Sequence, residues 1–240
     1  ALTIQWTALL GGNGTDVPEA ITSDINGNIY VAATSNSNLP GLGNNQGGKD
    51  IWVFKISPTG ELLWQKTFGG SEDEEASDIL YHPDGFVYVL AHSGSSDGDF
   101  DANDGLNDLW MIRLAGIDGD LEYMQRFGGS GNDFNGHTDF YGDDQIVISV
   151  SSTSSDLELT GNKGLADVWV LTTDLNGNIL QQMNYGGSLN DLAVDIITND
   201  SIFYLLSSTL SSDKNVPFNS ITQQDLWYYS LNPNPDTCSE

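Results

Sequence analysis

The chain has 240 residues, 34 of them acidic and 7 basic, for a formal net charge of −27. That balance repels phosphate backbones and anionic lipid, which excludes nucleic acid as a partner. Hydrophobic residues at 38% and aromatics at 10% set it apart from a disordered acidic tail, and no apolar run approaches the roughly 20 residues of a membrane-crossing helix, so no transmembrane segment is expected.

In chain order the first predicted element is an extended stretch, Thr3–Leu10, which runs into Gly11-Gly12. A short strand Pro18–Ser23 follows, then the turn Asp24-Ile25-Asn26-Gly27-Asn28, then a strand Ile29–Thr34. Asn-Gly suits a tight reversal because both residues tolerate positive φ. A long polar loop leads to Ile51–Ser57, and Pro58-Thr59-Gly60 turns the chain into Leu62–Phe68. At Gly69-Gly70 the pattern begins again.

The whole chain is built on that repeat. An aromatic or Leu precedes the pairs Gly11-Gly12, Gly69-Gly70, Gly128-Gly129 and Gly186-Gly187, and an acid follows each first Gly by five positions: Asp16, Glu74, Asp133 and Asp191. A second signature, Asp-x-Trp, gives Asp50 with Trp52, Asp108 with Trp110, Asp167 with Trp169 and Asp225 with Trp227. Both recur at spacings of 58, 59 and 58 residues, the extra residue falling in the turn Ala115–Gly119. No segment keeps a helical period. Four short strands per unit, named a to d in chain order, predict an all-β chain folded as a four-bladed β-propeller with four antiparallel strands per blade.

The fourth unit ends after its c strand, Leu226–Leu231, whereas the d strands of the others are Leu62–Phe68, Leu121–Phe127 and Ile179–Tyr185. Thr3–Leu10 carries the missing pattern, with Trp6 matching Trp64 and Tyr123, so the N-terminal strand is expected to close the last blade and leave no edge exposed. One domain over 1–240 follows, with blades at about 17–68, 75–127, 134–185, and 192–232 plus 3–10. Membership of a larger propeller and closure by pairing with another chain stay open as alternatives. The c-strand tryptophans are expected to pack between blades, and the aspartates before them to tie down loop amides.

Gly-Gly-x-x-x-Asp, Asp-x-Asn-Gly-Asn, a Ser/Thr-rich segment and Asp-x-Trp together resemble the SBBP-type β-propeller repeats of bacterial surface and secreted proteins. Gly11, Gly12, Asp16, Asp24, Asn26, Gly27, Asn28, Asp50 and Trp52 form the fullest copy, and Asp174-Leu175-Asn176-Gly177-Asn178 reuses the turn at a c–d position. The resemblance implies a propeller outside the cytoplasm, extracellular or on the cell surface of a bacterium, often a module of a larger protein, without a family-wide catalytic residue. It also implies seven blades, against four copies here.

Three places attract a functional reading. The long b–c loops and the Gly-Gly turns are expected on one face, a surface for a protein or glycan partner. In Asp97-Gly98-Asp99-Phe100-Asp101-Ala102-Asn103-Asp104, oxygen ligands at Asp97, Asp99, Asp101 and Asn103 alternate as at the start of a calcium loop, making calcium the candidate cofactor. Ala20, Asp78, His137 and Asp195 share one register on the inner strands, where two acids and a histidine around a channel would bind a cation or small ligand. His92 has no acidic neighbour in sequence. No nucleophile elbow, zinc helix or phosphate loop occurs.

The expected function is a non-catalytic extracellular or cell-surface binding or assembly module, possessing no catalytic residue above the repeated background. A carbohydrate-active enzyme using loop-face acids and a purely structural spacer are the alternatives. Asp200-Ser201-Ile202 matches a short bacterial O-glycosylation acceptor, and Cys238 is the sole cysteine.

Overall fold

The computed structural model describes residues 2–42, 44–101, 103–199, 201–217 and 223–233. Cys238 and Asp200, and with Asp200 the acceptor triplet, lie outside the described residues. No helix occurs among the described residues; the chain is built of antiparallel strands in four sheets, a propeller-like arrangement. The first sheet is β1 (Asp16–Ser23), β2 (Ile29–Ser35), β3 (Asp50–Ile56) and β4 (Leu62–Phe68). The second is β5 (Glu74–Tyr81), β6 (Phe86–Ser93), β7 (Asp108–Ala115) and β8 (Leu121–Phe127). The third is β9 (Asp133–Tyr141), β10 (Gln145–Ser152), β11 (Asp167–Asp174) and β12 (Ile179–Tyr185). The fourth is β13 (Asp191–Thr198), β14 (Phe203–Thr209) and β15 (Asp225–Leu231). Strands lie side by side in chain order within every sheet.

The chain divides into two compact units, Ala1–Asn103 with Trp110–Arg126, and Asp104–Leu109 with Phe127–Glu240. In the first, Tyr30, Ala32, Ile51 and Val53 of the first sheet pack against Val87, Val89, Ala91, Trp110, Ile112 and Leu114 of the second. In the second, Val147, Val168 and Val170 pack against Ala193, Ile196, Phe203 and Leu205. The middle strands β2, β3, β10 and β11 are covered on both faces, which is why their apolar runs are continuous rather than alternating. Trp52, Trp110, Trp169 and Trp227 are all buried.

Turn chemistry sets strand register. Asp24 Oδ1 accepts the backbone N–H groups of Asn26 and Asn28, both at 2.9 Å, while Gly27 takes φ +78°. Asp174 repeats this with Asn176 and Asn178, both at 2.9 Å, around Gly177 at φ +82°. Each inner strand carries a bulge near its third residue: the register shifts between Pro18 and Ala20, Ala76 and Asp78, and Ala193 and Asp195.

One expectation fails. Thr3–Leu10 forms no strand, and the fourth sheet has three strands among the described residues. The N-terminal segment is held instead on the first sheet. Trp6 Nε1 donates to the Pro58 carbonyl at 2.9 Å, the indole lies over Gly60, and Leu10 joins the cluster of Val31, Ala33, Leu39, Trp52, Phe54 and Ile56. The sheets are therefore not closed by the chain's own first strand, and the four-bladed ring is not seen.

Candidate functional site

The densest chemistry lies where one strand d hands the chain to the next strand a. At Gly69-Gly70, the Gly70 N–H donates to Glu74 Oε2 at 2.7 Å, and the Ser93 and Ser95 hydroxyls donate to Glu74 Oε1, each at 2.7 Å. At Gly186-Gly187, Gly187 N–H and Ser211 Oγ donate to Asp191 Oδ2 at 2.7 and 2.8 Å, and Thr209 Oγ1 donates to Oδ1. At Gly128-Gly129, Gly129 N–H and Ser154 Oγ reach Asp133 Oδ2 at 3.0 and 2.9 Å. At Gly11-Gly12, Gly12 N–H donates to Asp16 Oδ2 at 3.0 Å and Ser35 Oγ to Oδ1. The Ser/Thr-x-Ser pairs ending the b strands are the partners that the repeat analysis did not single out, although they recur as regularly as the acids.

In the first three sheets the aspartate before the c-strand tryptophan reaches the same turn. Asp50 Oδ2 accepts Gln46 N–H at 2.9 Å, Asp108 Oδ2 accepts Asp104 N–H at 2.8 Å, and Asp167 Oδ2 accepts Lys163 N–H at 2.5 Å. The other oxygen faces the first glycine. A Cβ on Gly69 would lie 2.2 Å from Asp50 Oδ1, on Gly128 2.3 Å from Asp108 Oδ1, and on Gly186 2.2 Å from Asp167 Oδ1. The second glycine is confined similarly by Ser95 at Gly70 and Ser211 at Gly187. The two sequence signatures are thus one structure.

Burial governs the ionisation of these acids. It pushes Asp167 up to about 6, with the Asp191 charge adding and the Lys163 amide opposing. Burial likewise raises Asp50, Glu74 and Asp133. At Asp16 burial also pushes upward, but the hydrogen bonds from Ser35, Gly12 and Ser37 outweigh it, and the group sits below its ordinary value.

In the calcium-like loop the oxygens make hydrogen bonds to neighbouring backbone and side chains. Asp97 Oδ1 accepts Ser71 N–H at 2.8 Å, and Asp99 Oδ2 accepts Gly69 N–H and Gln46 Nε2, each at 2.9 Å. Asn103 Nδ2 donates to the Ser93 carbonyl at 3.1 Å, Asp101 is exposed, and Phe100 is buried edge-on against Trp110. Asp156 and Asp213 make the Asp97 bond again, to Ser130 and Ser188 N–H, both at 2.8 Å. The alternating oxygens fasten a b–c loop to the Gly-Gly turn. Among the described residues, no three His, Cys, Asp or Glu side chains gather as metal ligands.

Asp78, His137 and Asp195 stand just after the inner-strand bulges, opposite Leu90, Ser149 and Leu206. The Asp78 and Asp195 carboxylates turn back on their own strands and accept Ile79 N–H at 2.8 Å and Ile196 N–H at 2.9 Å. Asp78 belongs to the first compact unit, His137 and Asp195 to the second. His92 does have an acidic partner: Glu75, opposite it in the β5–β6 ladder, with Nε2 at 3.5 Å.

The b–c loops also carry apolar side chains. Leu106, Leu157 and Leu165 are exposed in the second unit, and Leu189 is exposed on a Gly-Gly turn. Leu157 follows Asp156 at φ +56°, Lys214 follows Asp213 at φ +58°, and Gly98 follows Asp97 at φ +65°. A left-handed position that Gly fills in one loop holds leucine in another.

Residues 5–40 match the model of the SBBP family, a beta-propeller repeat. The match runs from the N-terminal segment through Gly11-Gly12 and Asp16 past the end of the first b strand, and the same signature returns in each later sheet. Over 82 residues the chain is 34% identical to the regulatory protein FlaEY of Caulobacter vibrioides, a match covering 32% of this chain and 9% of FlaEY. A solved chain of unknown function from Dyadobacter fermentans is similar in fold, with TM-score 0.58, 11% identity, and coverage of 89% of this chain and 52% of that one. An apocarotenoid oxygenase of Synechocystis aligns with TM-score 0.46 and 14% identity, over 92% of this chain and 50% of its own. The chain thus spans about half the length of these solved chains and a small part of FlaEY. The expectation of a chain without enzymatic activity is corrected: an enzyme stands among the solved chains that align with it.

Proposed function

We propose that the chain is a binding or assembly module, set outside the cytoplasm of a bacterium, which presents its b–c loops and Gly-Gly turns to a protein partner. The repeated carboxylate junctions make a stiff base on which the loops differ in sequence, the arrangement that lets a scaffold carry recognition. The name of FlaEY, a regulatory protein, fits a module that acts through contact.

Leu157 is the observation that carries this reading. A leucine held left-handed costs about 1–2 kcal/mol relative to ordinary backbone, and it leaves a large apolar side chain in water. Strain kept at an exposed position points to a use for the side chain. Exposed leucines, with the four c-strand tryptophans buried, favour a protein over a glycan, and the net charge of −27 favours one with a basic rim.

Leu157→Gly is expected to leave the melting temperature unchanged or raised, because it relieves the backbone, while a partner captured by the wild type from native envelope material is lost. Equal capture by Leu157→Gly and by the Leu106→Ser/Leu165→Ser pair would refute the loop-face reading. Fractionation of the native host tests location separately; recovery in the cytoplasm alone would refute that part.

A further inference from the structure

Because the sheets share one plan, the ends of the series can be compared position by position with covered sheets. Ile51 and Val53 in β3, Leu109 and Met111 in β7, and Val168 and Val170 in β11 are buried at 5% exposure or less; their counterparts in β15, Leu226 and Tyr228, are 66% and 79% exposed. The outer edge of β15 pairs with no strand among the described residues. Asp50, Asp108 and Asp167 are buried against a first glycine, whereas Asp225 is half-buried.

The N-terminal end lacks what the fourth sheet offers. A Cβ on Gly11 would meet only Asp16, with no c-strand aspartate against it. Trp6 sits on the Pro58–Gly60 turn as Trp64 sits on the Gly116–Gly119 turn: Trp6 Nε1 donates to Pro58 O at 2.9 Å and Trp64 Nε1 to Gly116 O at 3.2 Å, and the two indoles cover Gly60 and Gly119. Thr3–Leu10 therefore stands where the outer strand of a preceding sheet belongs. Behind it is a cavity of about 540 Å³ lined by Trp6, Leu9, Leu10, Val31, Trp52 and Phe54.

We propose that Thr3–Leu10 of one copy of this chain pairs with β15 of a second copy, whose three-stranded sheet covers the cavity. In the single chain both halves of this joint stand open, and each carries what the other lacks. Two equivalent joints related by a two-fold axis would give the fourth sheet of each copy its fourth strand.

The register follows from covered sheets. Val53 pairs with Lys66 and Phe54 with Gln65, and Val170 pairs with Met183 and Leu171 with Gln182. Tyr228 then pairs with Ala8 and Tyr229 with Thr7 of the partner copy. Trp52 and Trp169 donate Nε1 to Gln65 and Gln182 at 3.2 and 2.9 Å, and where that position is Met124, Trp110 Nε1 is buried without a hydrogen-bond partner. Thr7 supplies the acceptor for Trp227. This joint is separate from the loop face, and its failure leaves the loop-face reading standing.

The test uses the full 240-residue chain. Light scattering is expected to give twice the mass of one chain, and Ile4→Asp/Trp6→Asp to give a monomer that keeps the cooperative melt. In a Cys238→Ser background, Ala8→Cys/Tyr228→Cys is expected to form a covalent dimer under an added oxidant, reversed by reductant. A monomer by light scattering, a cross-link within one chain, or a dimer that survives Ile4→Asp/Trp6→Asp would each overturn the proposal.

Discussion

At each Gly-Gly turn a carboxylate oxygen occupies the space that a β-carbon would need. In the β3–β4 ladder Ile51 pairs with Phe68, so the next positions along, Asp50 and Gly69, come together, and Asp50 Oδ1 leaves no room for a methyl group. Gly69→Ala is expected to cost about 1–3 kcal/mol, as overpacking does, and less in an Asp50→Ala background than in the wild type. Urea denaturation of the four proteins of that cycle measures the coupling; additive costs would show that the glycine is required for another reason. The sequence displayed both signatures at one period without revealing that they touch. That contact becomes legible only when the c–d hairpin is paired residue by residue. The same holds for Glu74 with Ser93 and for Glu75 with His92, each opposite the other across the β5–β6 ladder. Side-chain partners one strand away are hidden from any reading that looks only along the chain.

Strands were legible where a hairpin fixed them. The predicted d strands Leu62–Phe68, Leu121–Phe127 and Ile179–Tyr185 coincide with β4, β8 and β12, because a tight turn on one side and a Gly-Gly stop on the other leave little freedom. Thr3–Leu10 has the same apolar pattern but no strand beside it, and an extended segment becomes a strand only through its ladder. Its indole contact to the first sheet was equally hidden, since it depends on the one turn that brings Pro58 and Gly60 beneath it. Within a covered sheet the tryptophans carry much of the packing. Trp110 is 4% exposed and meets Phe100 edge-on, with ring centroids 5.2 Å apart. Trp110→Ala is expected to cost about 3–5 kcal/mol, read from the midpoint of urea unfolding. A cost under about 1 kcal/mol, in the range of an exposed substitution, would show that the indole is not part of the core.

For the molecule as a whole, the formal charge of −27 is an upper figure, because several acids are buried where ionisation is disfavoured. Asp50, Glu74, Asp133 and Asp167 have folded-state values above their ordinary ones. For such groups the fold favours the protonated form, so their contribution is fully present below the unfolded value, 3.8 for Asp167, and is lost as pH rises through the folded value of about 6. Asp16, Asp24 and Asp174 are lowered, so their contribution is present above 3.8 and disappears as pH falls further. Stability is therefore expected to peak near pH 4, with the melting temperature falling from there to about pH 7. Added salt, by screening the remaining repulsion, raises the neutral value more than the acid one. Asp167→Asn keeps an acceptor for the Lys163 amide while removing the charge beside Asp191, so it is expected to raise the melting temperature at neutral pH and flatten its pH dependence. A melting temperature that climbs with pH across this window, or an Asp167→Asn variant that keeps the wild-type slope, would show that the buried junction acids remain ionised and that hydrogen bonds outweigh their burial.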